Sequence, residues 1–393
     1  MTVLHLLGEL RPSGAEVMLK LAAPHWRKAG CKLIALATES NVGEFAPQLE
    51  AAGFQVLHLP FGSGLFRWIW QYLAVIRKEN VDVVHVHCEK NSDLTTTVPR
   101  ITGCRVFRTV HNNFPYTGVL RARKIAARQF SRLCGCRPIA ISPSVQTNER
   151  NRLHNPTTLC WNWFDDVRYL PPTDAERAAA RAEIGLTDCD IALVSVGNGN
   201  DVKNYSAIIE ALAMLRKRDV ESREISDERK EAKKPSSLDS RPQSLLYLMV
   251  GNEHPDRIER KTAEQLADSV RFCGPQSDVR KYLWAADIFV MPSHYEGFSI
   301  AALEGLGTGI PCIFSECPGL SDFKAFPFAI TWSGTDAASI AATIRAVMAN
   351  GKWRTKSMES AAAVRAVFGT ERRSGDYLRL WKESLSGKTS VCR

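Results

Sequence analysis

Residues 294 to 314 read HYEGFSIAALEGLGTGIPCIF, and they carry two carboxylates, Glu296 and Glu304, with seven residues between them. Glu296 follows the apolar run ADIFVMPS, and Glu304 lies inside a segment of small and apolar residues with helical character. A helix beginning near Phe298 or Ser299 points its first free amides at whatever lies before it, and such amides favour phosphate. Glu296 then stands just ahead of the helix tip, placed to accept hydrogen bonds from hydroxyl groups. Glu304 sits one to two turns inside, among apolar neighbours, where a carboxylate is costly unless it too accepts hydrogen bonds, as from the paired hydroxyls of a ribose. A diphosphate at the helix tip with a sugar on each side uses both carboxylates. Lys203, in the loop GNGNDVKN after DIALVSVG, is the cation for that diphosphate. His85 and His87 end VDVVHVH, His111 ends RVFRTVH, and Gly251 follows SLLYLMV, so each marks the point where an apolar strand stops.

Those residues must be positioned by strands and helices in alternation. TVLHLL, KLIALAT, VDVVHVH, RVFRTVH and RPIAIS form one series of strand-like runs. DIALVSVG, SLLYLMVG, VRFCG, ADIFVMPS, IPCIFS and FAITW form a second. Uniformly apolar strands separated by helical segments indicate parallel sheets covered on both faces. The fold class is therefore α/β, two doubly wound Rossmann-like domains, with ligands expected at the carboxyl ends of the strands and in a cleft between the domains. Pro171 and Pro172 precede a Thr-Asp pair suited to capping a helix, so the first domain is read as residues 1–170, the second as 171–370, and 371–393 as a helix returning to the first. Residues 216–243 are almost wholly polar and read as a mobile, largely disordered insertion.

Composition limits the class of protein. The chain has 393 residues, 45% hydrophobic and 24% charged, enough for two soluble domains. No apolar run approaches the ~20 residues of a membrane helix, and MTVLHLLGELRPSG lacks a basic leader and reads as a first strand rather than a signal peptide. Eleven cysteines without zinc-finger spacing fit reduced thiols in a cytoplasm, and the Cys134-x-Cys136 pair has no second pair to complete a metal set. A net charge of +9 points to anionic partners. No nucleic-acid-binding motif accompanies it. The segment VLRARKIAARQFSRLCGCR holds a basic stripe, Arg121, Lys124, Arg128 and Arg132, beside an apolar one, Ala122, Ala126, Phe130 and Leu133. Two readings of it stay open: a solvated helix packed on the first sheet, or contact with anionic lipid headgroups or a pyrophosphate-linked acceptor. Trp68 and Trp70 in FRWIWQYL divide between core and membrane-facing readings in the same way.

YEGFSIAALEGLGTGIP resembles the donor-binding segment of glycosyltransferase family 4, retaining enzymes of the GT-B fold, which carries E-x7-E, a small-residue helix and G-x-P. The likeness runs along most of the chain. RPSGAEVMLKLA resembles that family's glycine loop and first helix, VDVVHVH its D-V-V-H-x-H strand, RTVHN its V-H-D strand end, and SVGNGNDVKNYSAIIEALAML its V-G-R-x-x-x-x-K-N loop and helix. The resemblance implies transfer of a sugar from a nucleotide-sugar to a glycan or lipid-linked acceptor, in cell-surface polysaccharide or glycolipid synthesis, in the cytoplasm or on the inner membrane face. It implies that His111 lines the donor sugar and that the backbone of Ser13 and Gly14 approaches phosphate or acceptor. It implies further that Lys203 holds the diphosphate, that Glu296 with the amides of Gly297, Phe298, Ser299 and Ile300 holds the transferred sugar, and that Glu304 holds the ribose. It implies also that the loop at Phe272, Cys273 and Gly274 contacts the base. No cofactor or metal is expected, since no D-x-D pair lies in the proposed site. Three positions depart from the pattern: Ser13 replaces a glycine, Asn198 replaces the arginine of V-G-R, and Asn112 replaces an aspartate. A GT-B sugar-nucleotide epimerase and an inactive sugar-nucleotide-binding homologue remain as other readings.

Overall fold

An apolar strand buried on both faces cannot alternate polar and apolar side chains, and most of the described strands of this protein do not. The computed structural model describes residues 1–62, 64–228, 244–252, 258–266 and 269–387. Over these it separates into two compact units, Met1–Asp165 with Val367–Arg393, and Asp166–Ala366. Both divisions fall a few residues before the sequence boundaries of 170 and 370.

In the first unit the described strands are β1 (Thr2–Leu7), β2 (Lys32–Ala37), β3 (Phe54–His58), β4 (Val83–Val86), β5 (Arg105–Val110), β6 (Cys136–Ala140) and β7 (Thr158–Leu159). They form one sheet in the order β3-β2-β1-β4-β5-β6-β7, and every pairing is parallel. Two of these strands escape the uniform-apolar signal. β3 lies at the sheet edge with partly exposed and exposed residues, and β7 is two residues long. The helix Thr370–Ser386 belongs to this unit: Trp26 Nε1 donates to Ser374 O at 2.9 Å, and the Trp26 and Trp381 rings lie 4.9 Å apart.

The second unit has β8 (Ile191–Val196), β9 (Leu245–Val250), β10 (Val270–Gly274), β11 (Ile288–Met291), β12 (Cys312–Ser315) and β13 (Ile330–Ser333). Their order is β10-β9-β8-β11-β12-β13, again parallel. Its helix Asp174–Ile184 starts in a capping box, Thr173 with Glu176. In both sheets the order reverses beside the first strand, at β1/β4 and at β8/β11. Such a switch point opens a crevice at the carboxyl ends of the strands.

The reading of residues 216–243 as a mobile insertion is corrected in its first part. The helix Tyr205–Glu228 runs through Arg216 and on to Glu228. The added sequence, RKRDVESREISDE, is rich in strong helix formers and holds neither glycine nor proline. Once the buried turns nucleate the helix, propagation needs only one hydrogen bond per residue. Residues 229–243 lie outside the described residues.

Candidate active site

In the second unit the carboxyl edge of the sheet is lined by glycine. β8 passes into Gly197 at φ +143° and β9 into Gly251 at φ +139°, and a Cβ on Gly251 would lie 2.1 Å from the Gly197 carbonyl oxygen. The two strand ends touch because neither carries a side chain. Gly251 N donates to Gly274 O at 2.9 Å, extending the row to β10, where Gly274 sits at φ +64°. Asn198 follows on the exposed side of the loop.

The loop then places Lys203. Its N–H donates to Asn200 O at 3.0 Å and to Asn200 Oδ1 at 3.0 Å. Asn204, at φ +55°, clamps the loop by donating from Nδ2 to Pro292 O (3.1 Å) and Thr335 O (2.8 Å). His294 N donates to Val202 O at 2.8 Å, tying it to the segment after β11. Lys203 Nζ thereby reaches Glu296 Oε1 at 2.7 Å, and Ser293 Oγ donates to the same oxygen at 2.8 Å. Glu296 is held from behind, its N–H donating to Pro318 O at 2.8 Å. Gly319, at φ +90°, permits that approach, since a Cβ there would stand 2.3 Å from Glu296 O.

The helix foreseen after Glu296 is Ile300–Gly307, with Ser299 as its N-cap accepting from Ala302 N at 3.3 Å. Phe298 is buried and stacks on Phe323 with ring centroids 4.6 Å apart, which fixes the entry of the chain into the helix. Glu304 is only partly buried, against the sequence expectation of a covered carboxylate, and it hydrogen-bonds the Tyr169 side chain. Burial first, and the Glu304 charge second, push the Tyr169 hydroxyl far above its ordinary range, so it remains a neutral donor. Lys203, Ser293 and Glu296 thus meet at the β8/β11 switch point, beside the start of this helix. Ser293, Tyr169 and Gly319 were not foreseen. Ser293, three residues before Glu296, was the one within reach of local sequence reasoning.

In the first unit Ser13 is the N-cap of the helix Gly14–Lys28 at φ −111°, ψ 169°, a conformation open to any residue, so the loss of a glycine there carries no strain. Its hydroxyl donates to Glu16, a buried carboxyl raised by desolvation against the pull of that bond. Asn112 Oδ1 accepts from Asn113 N at 2.8 Å, a local turn role.

His111 closes a chain of imidazoles. His5 Nδ1 lies 3.0 Å from His87 Nε2, and His87 Nδ1 lies 3.1 Å from His111 Nε2. His85, read from sequence as a strand-end candidate, is instead a core residue bonded to Thr109 Oγ1 at 2.8 Å and stacked on Tyr377. Desolvation lowers all four rings: His5 to about 3, His111 to about 4 with Arg108 as a lesser cause, and His85 and His87 well below the ordinary histidine range. All are neutral at neutral pH. Each neutral ring holds one proton, and His5 Nε2 is buried without a partner. An orphaned N–H is rarer in folded proteins than an under-used acceptor. The protons therefore run from His5 Nδ1 to His87 and from His87 Nδ1 to His111, which leaves Nδ1 as the donor nitrogen of His111. Nitrogens of His5, His85 and His87 lie within 4.8 Å of one another, close enough to hold a metal. Both His87 nitrogens are already hydrogen-bonded, so a metal there would have to displace one of those bonds.

The helix Gly118–Leu133 corrects the reading of its basic stripe. Arg128 is 3% exposed and donates from Nε and Nη2 to the buried Glu149 at 2.7 and 2.9 Å. Lys124 Nζ donates to Glu89 at 2.9 Å, Arg121 Nε to Arg152 O at 2.9 Å, and Arg132 Nη1 to Gln129 Oε1 at 3.5 Å. Desolvation alone would raise Glu89, but the charges of Arg108 and Arg128 and the Lys124 bond outweigh it and hold the carboxyl at about 2. Arg128 and Lys124 face inward because the buried Glu149 and the partly buried Glu89 require them. Val119, Leu120, Phe130 and Leu133 are left outside, Leu133 86% exposed. Trp68 is core and Trp70 exposed.

Comparison with known proteins agrees with this architecture. Residues 12–168 match the family model Glycosyltransferase Family 4, and residues 176–364 match Glycosyl transferases group 1. EpsF of Bacillus subtilis (strain 168) is 23% identical over 334 residues, 80% of this chain and 79% of that one. Matches to two further curated relatives span 33% and 52% of their lengths. A glycosyltransferase from Rickettsia africae superposes with a TM-score of 0.80 at 16% identity, covering 98% of each chain. Anabaena HepE, solved in complex with UDP and glucose, superposes at 0.77 and 14%, covering 97% of this chain and 99% of that one. With its two halves matched by the two models and its fold shared with solved glycosyltransferases, the chain belongs to the group 1 glycosyltransferases, of the family 4 type and the GT-B fold.

Proposed function

We propose that this glycosyltransferase is retaining and takes its sugar from a nucleoside-diphosphate donor held by the second unit. The observation that carries the reading is the Lys203–Glu296 pair, 2.7 Å apart at the β8/β11 switch point and just before the Ile300–Gly307 helix. A diphosphate brings the anion that Lys203 needs and releases Glu296 to the hydroxyls of the transferred sugar. Amides at the start of the helix add positive potential to the leaving diphosphate. Gly197, Gly251 and Gly274 leave room for a close approach of the nucleotide to the backbone. Glu304 is assigned the ribose, with Tyr169 yielding or sharing its hydrogen bond. His111 is assigned the sugar's hydroxyls, and Ser13 and Gly14 the acceptor side. Transfer occurs on the face the leaving group departs from, through an oxocarbenium-like state. Lys203 and the helix amides supply the charge that a metal would otherwise bring.

The acceptor is proposed to be a glycan or lipid-linked sugar on the cytoplasmic face of a membrane, in surface polysaccharide or glycolipid synthesis. Among the described residues no helix is long and apolar enough to cross a membrane. Peripheral contact through the exposed Val119, Leu120, Phe130 and Leu133, rather than through the basic stripe, fits their position on one helix. HepE, a fold relative, binds UDP and glucose. Calorimetric titration with a panel of nucleotide sugars, followed by NMR of the product linkage, tests the proposal. One nucleoside-diphosphate sugar is expected to bind and to yield the donor's own anomer. Binding of none sinks the donor assignment, and an inverted product sinks the retaining mechanism.

A further inference from the structure

Among the described residues the buried arginines Arg108, Arg128 and Arg181 each meet a carboxylate. Arg108 pairs with Glu89, Arg128 with Glu149, and Arg177 and Arg181 with Asp287. A different arrangement occupies the amino-terminal edge of β5 and β6. There a cavity of about 490 Å³ is lined by Arg100, Arg105, Arg132 and Arg137, together with Gln129 and Leu133, and no carboxylate lines it. Arg105 opens β5, which ends at Val110 beside His111. At ~3.3 Å per residue the cavity lies about 20 Å from His111, at the opposite edge of the sheet.

The cavity is built rather than incidental. Arg100 is fixed by donating from Nε to Cys134 O at 2.9 Å and from Nη1 to Cys104 O at 2.5 Å. Its guanidinium lies on Gly135, at φ +90°, where a Cβ would stand 3.0 Å from Nε and 3.1 Å from Nη2. Three of its five N–H groups are left over. Asp82, whose carbonyl accepts the Arg105 N–H, gives a carboxylate oxygen to Thr2 N at 2.7 Å. Four arginines line one space, and an anion with several oxygens offers them a shared acceptor for forked hydrogen bonds. The volume suits a phosphate ester. Leu133, 86% exposed, is part of its lining.

We infer that this cavity binds a phosphoryl anion, as a second anion site separate from the one assigned to the donor. The chemistry is shared by a phospholipid headgroup and by free phosphate or a soluble phosphate ester, and the test has an arm for each. Inorganic phosphate is titrated into the full-length protein by calorimetry at low ionic strength, and the protein is sedimented with phosphatidylcholine vesicles with and without phosphatidic acid. Three proteins are compared: wild type, Arg105→Gln/Arg137→Gln, and a charge-matched control, Arg67→Gln/Arg123→Gln, at two exposed arginines. Gly135→Ala, which crowds Arg100, is a fourth. The cavity variant and Gly135→Ala should lose at least about tenfold in affinity, while the control keeps it. Loss confined to inorganic phosphate identifies a soluble ligand. Loss of phosphatidic-acid-dependent sedimentation identifies a headgroup. Equal behaviour of wild type and cavity variant in both arms, or an equal loss in the charge-matched control, overturns the site, as does a wild type that binds neither probe.

Discussion

Lys203→Ala separates the structural role of the Lys203–Glu296 pair from its proposed catalytic one. The two charges lie 2.7 Å apart with 17% and 13% of their side chains exposed, so the pair is largely withdrawn from water. At an effective dielectric near 20 the bare attraction is about 6 kcal/mol, most of it offset by desolvation. Removing Lys203 takes the counter-charge from a Glu296 carboxylate that keeps its bond from the Ser293 hydroxyl, which costs about 1–3 kcal/mol of stability. Lys203→Ala/Glu296→Gln removes both charges and should regain much of that loss, giving a coupling of about 0.5–3 kcal/mol in a double-mutant cycle read by denaturant unfolding. Turnover should follow another rule. Without Lys203 the leaving diphosphate loses its cation, at about 10²–10³ in kcat, and neutralising Glu296 restores nothing. The expected outcome is a double variant that regains stability and stays inactive. Near wild-type turnover in Lys203→Ala, or recovery of turnover in the double variant, would refute the assignment of Lys203 to the diphosphate.

Two further outcomes test the division of the donor and the source of positive charge. Glu304→Gln should weaken binding of the free nucleoside diphosphate and raise KM, because the ribose does not change during transfer, whereas Glu296→Gln should lower kcat and leave that binding nearly intact. Calorimetry on both variants decides it, and equal weakening shows the two carboxylates to be wrongly assigned. Turnover is expected to survive excess EDTA, and loss of activity restored by magnesium or manganese would overturn the metal-free proposal.

Much of this protein was legible before folding was considered. The two series of apolar runs determine two parallel sheets, since such strands can be buried only with both faces covered. The spacing from Glu296 to Glu304, and Ser299 between them, determine a capped helix behind a strand-end carboxylate. These are local facts, set by side-chain type and period. Edge strand β3 was lost for the same reason, because a half-exposed strand has no uniform apolar run. Partnership was decided only by the tertiary structure. Lys203 and Glu296 are 93 residues apart, and their contact depends on Asn204, Val202 and Pro318 holding two loops together. The helix Gly118–Leu133 shows the limit most clearly: two stripes can be read from its sequence, but not which one faces in. Glu89 and Glu149, brought beside it from elsewhere in the chain, draw Lys124 and Arg128 inward, while Phe130 and Leu133 stay in water. A buried carboxylate without a cation costs more than two exposed apolar side chains, and that balance exists only once the chain has folded.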